Sequence, residues 1–144
     1  MANNVKVLTK LQELIKAETS LSFVKDIFIG ARNNVINFPS VFIIPESENE
    51  TPDTYPHKRI TFNISLYGII KVLEADNCYI SSDVNTIGLL DFLNRVKKFI
   101  DNNTTLSGEV INILYGNTEY GIDNGNLFFS LSISIEYRTY AGTR

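Results

Sequence analysis

From residue 126 to 138 apolar and polar side chains alternate without a break. Leu127, Phe129, Leu131, Ile133, Ile135 and Tyr137 fall on one side, and Ser130, Ser132, Ser134, Glu136 and Arg138 on the other. A period of two belongs to a β-strand, and apolar residues on one side only mean a sheet with one buried and one wet face. Residues 58–71 repeat the pattern, with Ile60, Phe62, Ile64 and Leu66 set against Thr61, Asn63, Ser65 and Tyr67. Just ahead of the first segment lies Gly121-Ile122-Asp123-Asn124-Gly125. Its Asn-Gly step supplies the positive φ angles of a tight hairpin. The strand at 126–138 is therefore expected to pair with one near 111–115, where Ile111, Ile113 and Tyr115 alternate.

A one-faced sheet needs a second layer over its apolar side. Residues 4–18 provide one helix, with Leu8, Leu11, Leu14 and Ile15 at three- and four-residue spacing. Residues 83–101 predict a second. Asp83 stands at its N-cap, Leu89, Leu93, Val96 and Ile100 form its apolar stripe, and Asn102-Asn103 ends it. Arg95, Lys97 and Lys98 sit near its C-terminus, where the helix dipole favours cations. A short strand is expected at about 24–30. Ser40 to Ile44, which does not alternate, reads as a strand buried on both faces and stopped by Pro45. Residues 72–82 are a connection without a clear pattern.

Residues 46–57, ESENETPDTYPH, carry four carboxylates, two prolines and no Lys or Arg. Such a segment buries too little apolar area to offset its ordering entropy, which predicts an exposed, mobile acidic loop. The order is α-β-β-β-α-β-β. With no repeat or linker, this gives a single α+β domain over 1–144, a mainly antiparallel sheet of about five strands with two helices on one face.

Strand length carries a clue to function. The segment at 58–71 reaches roughly 46 Å if straight, and the second helix roughly 27 Å. Strand ends extending past the helical layer would need other subunits to cover them. The alternative is that Gly68 marks a bulge and the strand bends. The small, neutral sheet face of Thr61, Asn63, Ser65, Ser130, Ser132 and Ser134 suits a channel lining or plain exposure to water.

The residue inventory argues against catalysis. One Cys and one His cannot form a structural zinc site. Cys-His chemistry would require Cys78 and His57 to meet, and His57 reads as a solvated loop residue. There is no phosphate-binding glycine loop and no EF-hand spacing, so neither cofactor nor metal is expected. A net charge of -3 disfavours tight phosphate-backbone binding, leaving DNA at most as a passenger through a lumen. The N-terminal segment is too polar for a signal peptide, and no apolar run approaches the length that spans a bilayer. The domain is expected in the cytoplasm or in a particle assembled there, with no membrane partner.

The layout resembles that of tail-terminator (tail-completion) proteins of long-tailed bacteriophages. The resemblance covers most of the chain. It lies in the proline-bracketed strand Pro39-Ser40-Val41-Phe42-Ile43-Ile44-Pro45 and the long strand Arg59 to Tyr67. It continues in the Leu-x-Gly-x-Val turn within Thr105-Leu106-Ser107-Gly108-Glu109-Val110 and the closing strand Leu131 to Arg138. The resemblance implies a non-enzymatic subunit of the virion tail or neck, assembled in the host cytoplasm. It would form a homo-oligomeric ring, typically a hexamer, that caps the tail tube, stops its polymerisation and receives head-completion or neck proteins. A head-side neck or connector subunit fits the same layout. A small-ligand-binding regulatory module would need a pocket with convergent polar groups, and a small hydrolase would need the catalytic groups that the inventory lacks. Interface residues are expected at strand ends and in the loops 46–57 and 116–125: Glu46, Glu48, Glu50, Asp53, Tyr55, Tyr67, Tyr120, Asn124, Arg138 and Tyr140.

Overall fold

The computed structural model describes residues 2–30, 37–71, 79–80 and 87–140. Helix α1 (Asn4–Ala17) is followed by a single 3-10 turn, then strands β1 (Asp26–Ile29), β2 (Ser40–Pro52) and β3 (His57–Lys71), helix α2 (Leu89–Asn102), and strands β4 (Asn112–Asp123) and β5 (Asn126–Tyr140). The five strands form one sheet in the order β1-β2-β3-β5-β4. Only the β1–β2 pair is parallel. This is the expected α+β architecture, with the short β1 as its parallel exception.

The long alternating segments become the two central strands, paired without a register break from His57↔Tyr140 to Lys71↔Asn126. Their inward rows, Ile60 to Ile70 and Leu127 to Tyr137, join Val7, Leu11 and Ile15 of α1 and the apolar face of α2 in one buried cluster. The Asn3 side chain caps α1 by accepting from the Lys6 N–H. Helix α2 starts later than its sequence suggests. Gly88, in extended conformation and without a side-chain cap bond, is its N-cap, and Asp83 lies outside the described residues, as does Cys78. At the other end Asn103 closes the helix as expected, its Nδ2 donating to Phe99 O at 2.8 Å.

Gly68 is not a bulge. Its pairing to both neighbouring strands is regular, and a Cβ there would lie 2.2 Å from Phe129 Cε1 and 3.0 Å from Phe92 Cζ. The missing side chain makes room for two aromatic rings packed edge to face, with centroids 5.0 Å apart. Gly68 thus lets α2 settle on the centre of the sheet.

The strand ends do not outrun their cover in the way that helix length alone implied. Leu106 and Val110, from the turn after α2, and Ala2 are buried in the same cluster, and inward residues of β5 stay buried as far as Thr139. What remains uncovered is the margin of the sheet. Strand β1 pairs with β2 only over Ser40–Ile43, which leaves the outer half of β2 as an edge. Strand β4 forms the opposite edge along its whole length.

Two expected loops are strand. Residues 46–52 continue β2, pairing with β3 as far as Pro52↔Lys58. Pro45 does not stop the strand. It sits at a register shift between Pro45 and Ser47, and a bulge on an edge tolerates a residue without an N–H. Residues 116–123 likewise belong to β4, which shifts register between Tyr115 and Thr118. In both places a neighbouring long strand supplies the backbone partners, and that pairing outweighs a composition poor in β-formers.

Candidate interface

The acidic segment is exposed but not free. Asn4 Nδ2 at the start of α1 donates to Glu48 Oε2 at 2.9 Å. Asn4 Oδ1 accepts from the Tyr137 hydroxyl, so α1, β2 and β5 are tied together at this end of the sheet. Burial pushes the Tyr137 phenol up to about 12, and the nearby Glu48 carboxylate adds to the shift. Glu50 lies 3.8 Å from Lys58 on the paired strand. Glu46 occupies the β2 bulge and faces solvent.

The turn between β2 and β3 gathers further charge. Arg138 Nε stands 2.8 Å from Asp53 Oδ2, an ion pair whose angles fall short of a hydrogen bond. The Asp53 carboxyl also accepts from the Thr54 N–H at 2.9 Å. That hydrogen bond, with attraction to Arg138 and Arg59, holds the Asp53 pKa below its usual value against a smaller opposing effect of desolvation. Arg59 pairs with Glu136 at 3.0 Å. His57 stacks on Tyr140 at 4.7 Å between ring centroids, and its Nδ1 lies 3.2 Å from Thr54 O. Tyr55, at the tip, is 88% exposed. The expected residues Glu48, Glu50, Asp53, Tyr55, Arg138 and Tyr140 therefore come together, but as a cluster whose charges are largely matched within the chain.

The other expected residues lie apart. Tyr67 is on the sheet face opposite the helices, 6.2 Å from the Phe128 ring, and Phe28 stacks on Phe42 at 5.4 Å on the same face. This face is graded. Aromatic rings occupy one end, Ser65, Ser132, Asn63 and Ser134 the middle, and Arg59 with Glu136 the other end. In the middle, Ser134 Oγ donates to Asn63 Oδ1 at 2.7 Å, and Asn63 Nδ2 donates to Ser47 Oγ at 3.1 Å. Asn124 takes φ 51° in the β4–β5 turn, with Gly125 at φ 78°, which is the tight hairpin expected from Asn-Gly.

Tyr120 belongs to a group that sequence reading missed. Strand β4 exposes Leu114 by 64%, Tyr120 by 48% and Ile122 by 69%, and Tyr115 is partly exposed. Tyr115 is held by Asp101, whose carboxylate accepts from the hydroxyl at 3.4 Å and raises the phenol pKa, and by Lys97, 5.6 Å from the ring centroid. Beyond the bulge Tyr120 and Ile122 are exposed. The signal was present, since Thr118, Tyr120 and Ile122 recur at two-residue spacing, but the flanking glycines pointed to a loop.

Among the described residues no group of three or more His, Cys, Asp or Glu side chains is placed to hold a metal. A hollow bounded by Ala2, His57, Val110, Ile111 and Arg138 is open to solvent, as is another lined by Glu50, Asp53, Tyr55 and Lys58. No helix among the described residues is long and apolar enough to cross a membrane. No family model matches the chain, and no curated protein matches it in sequence.

Proposed function

We infer that this chain is a structural subunit that works by binding other protein chains, and that it is a tail-terminator subunit of a long-tailed bacteriophage. In that role copies close into a ring, typically a hexamer. The ring caps the finished tail tube, stops its polymerisation and presents a surface to head-completion or neck proteins. The observation that carries the reading is β4, a twelve-residue strand at the sheet edge among the described residues, with Leu114, Tyr120 and Ile122 exposed. A long edge with apolar side chains is a template for another chain, and proteins that act alone usually blunt such edges. The layout resemblance in the proline-bracketed strand and the Leu106-x-Gly108-x-Val110 turn supplies the particular role. The sheet face turned away from α1 and α2, small and polar at its middle, suits a lumen through which DNA passes without being gripped.

Size-exclusion chromatography with light scattering, alone and with tail-tube protein, tests this function. A ring-sized mass, or capture at tube ends, is expected. A chain that stays monomeric and never associates with tube ends overturns the reading.

A further inference from the structure

The two margins of the sheet are built differently. The outer half of β2 carries Pro45 and Pro52, a bulge, and the carboxylates of Glu46, Glu48 and Glu50. Prolines, charges and bulges are the usual devices that block strand addition. Strand β4 shares the bulge and carries two carboxylates, Glu119 and Asp123. From Thr118 to Asp123 it has no proline and no cation, pairs regularly with β5, and exposes Tyr120 and Ile122. On an edge strand every second residue turns its N–H and C=O away from the sheet. Among the described residues no strand lies beyond β4, so this six-residue stretch is an open half-ladder there.

Its charge selects the occupant. The only ionisable side chains on the stretch other than Tyr120 are Glu119 and Asp123, both exposed. Among the described strand residues, the cation at the same end of the sheet is Lys71, two strands away and opposite Asn126. Lys97 belongs to the other side of the bulge, over Tyr115, where Asp101 offsets it. The outer half of β2 in a second copy would bring Pro45, Pro52 and a bulge to the seam, with three more carboxylates and no cation of its own. Pairing β4 with β4 would bring four carboxylates together and no counter-charge. Like charges across a strand pair destabilise it.

We propose that Thr118–Asp123 receives an extended segment of a different protein, in which Lys or Arg alternates with apolar residues, as an added strand next to β4. The added backbone completes the half-ladder, the cations meet Glu119 and Asp123, and the apolar residues cover Tyr120 and Ile122. This deepens the assembly reading and rests on it. It assigns β4 to a partner protein and leaves ring closure to other surfaces.

The test uses the full chain and three labelled octapeptides: alternating Lys and Val, alternating Glu and Val, and a Lys/Val peptide of the same composition with the lysines in one block. Fluorescence anisotropy should show the alternating Lys/Val peptide binding at least tenfold more tightly than either of the others, and more weakly as salt rises. Hydrogen exchange should show new protection at Tyr120 and Ile122. Ile122→Lys and Glu119→Lys should each weaken the peptide at least tenfold while leaving the circular dichroism spectrum and the light-scattering mass unchanged. Equal binding of all three peptides, or protection along residues 45–52 instead, overturns the proposal. So does an Ile122→Lys chain that falls from a higher mass to a monomer, since that makes a second copy the occupant. A ring that forms while no peptide binds sinks this proposal and spares the assembly reading. A chain that neither assembles nor takes up the peptide removes both.

Discussion

Three residues show how little the fold tolerates at its fixed points. Gly68 leaves space that Phe129 and Phe92 fill, so Gly68→Ala must push an aromatic ring off its rotamer. Overpacking of this kind costs about 2 kcal/mol or more. Urea unfolding should show that loss, and Phe129→Leu in the same chain should recover part of it. Tyr137 holds its proton unusually well. A pKa raised to about 12 in the folded chain means that its stabilising contribution is complete below the unfolded phenol value near pH ~10 and disappears as pH rises through about 12. Alkaline spectrophotometric titration should reveal one phenol ionising near there, absent in Tyr137→Phe, which should itself lose about 1 kcal/mol with the hydrogen bond to Asn4. Asp53 works in the opposite sense. Its lowered pKa contributes stability above the ordinary carboxylate value, and that contribution vanishes as pH falls through the folded value. Asp53→Asn should make the acid limb of a stability-against-pH curve slightly shallower and leave the alkaline limb unmoved.

Among the elements, the β4–β5 hairpin depends on its turn. Asn124 and Gly125 both have positive φ, and Gly125→Ala forces a Cβ into that conformation, at a cost of about 1 kcal/mol. Thermal unfolding of the variant measures it. The hairpin turn and both central strands were legible in the sequence, because alternation over 58–71 and 126–138 is long and each strand has a single buried face. The helices were legible for the same reason, although α2 begins at Leu89 rather than near Asp83. The outer half of β2 was not. Its eight residues from Pro45 to Pro52 have the composition of a loop and are held as strand by β3 alongside, a contact between distant parts of the chain that no local pattern encodes. The same holds for the candidate interface. The tyrosines and carboxylates at the β2–β3 turn were visible by type, but ion pairs such as Asp53 with Arg138 join residues far apart in sequence, so their mutual neutralisation was not. Leu114 and Ile122 went unnoticed because apolar residues ordinarily signal core, and here they mark an edge.

At the scale of the whole molecule the asymmetry is between the outer half of β2, interrupted by two prolines, and β4, which has none. Moderate salt should weaken whatever binds at Thr118–Asp123 without altering the fold, because the core beneath is a single apolar cluster. Ultracentrifugation with partner protein across a salt series reads this directly. Strand order has a further effect, on timing. The last strand in the chain lies in the middle of the sheet, between β3 and β4. On the ribosome, β3 therefore waits with one flank vacant until residue 140 has emerged, and the helices meanwhile have only part of a floor to rest on. Ribosome-held chains stopped at residue 125 should be cut readily by protease and those extended well past 140 should resist, which makes completion of this domain a late, all-at-once event in its synthesis.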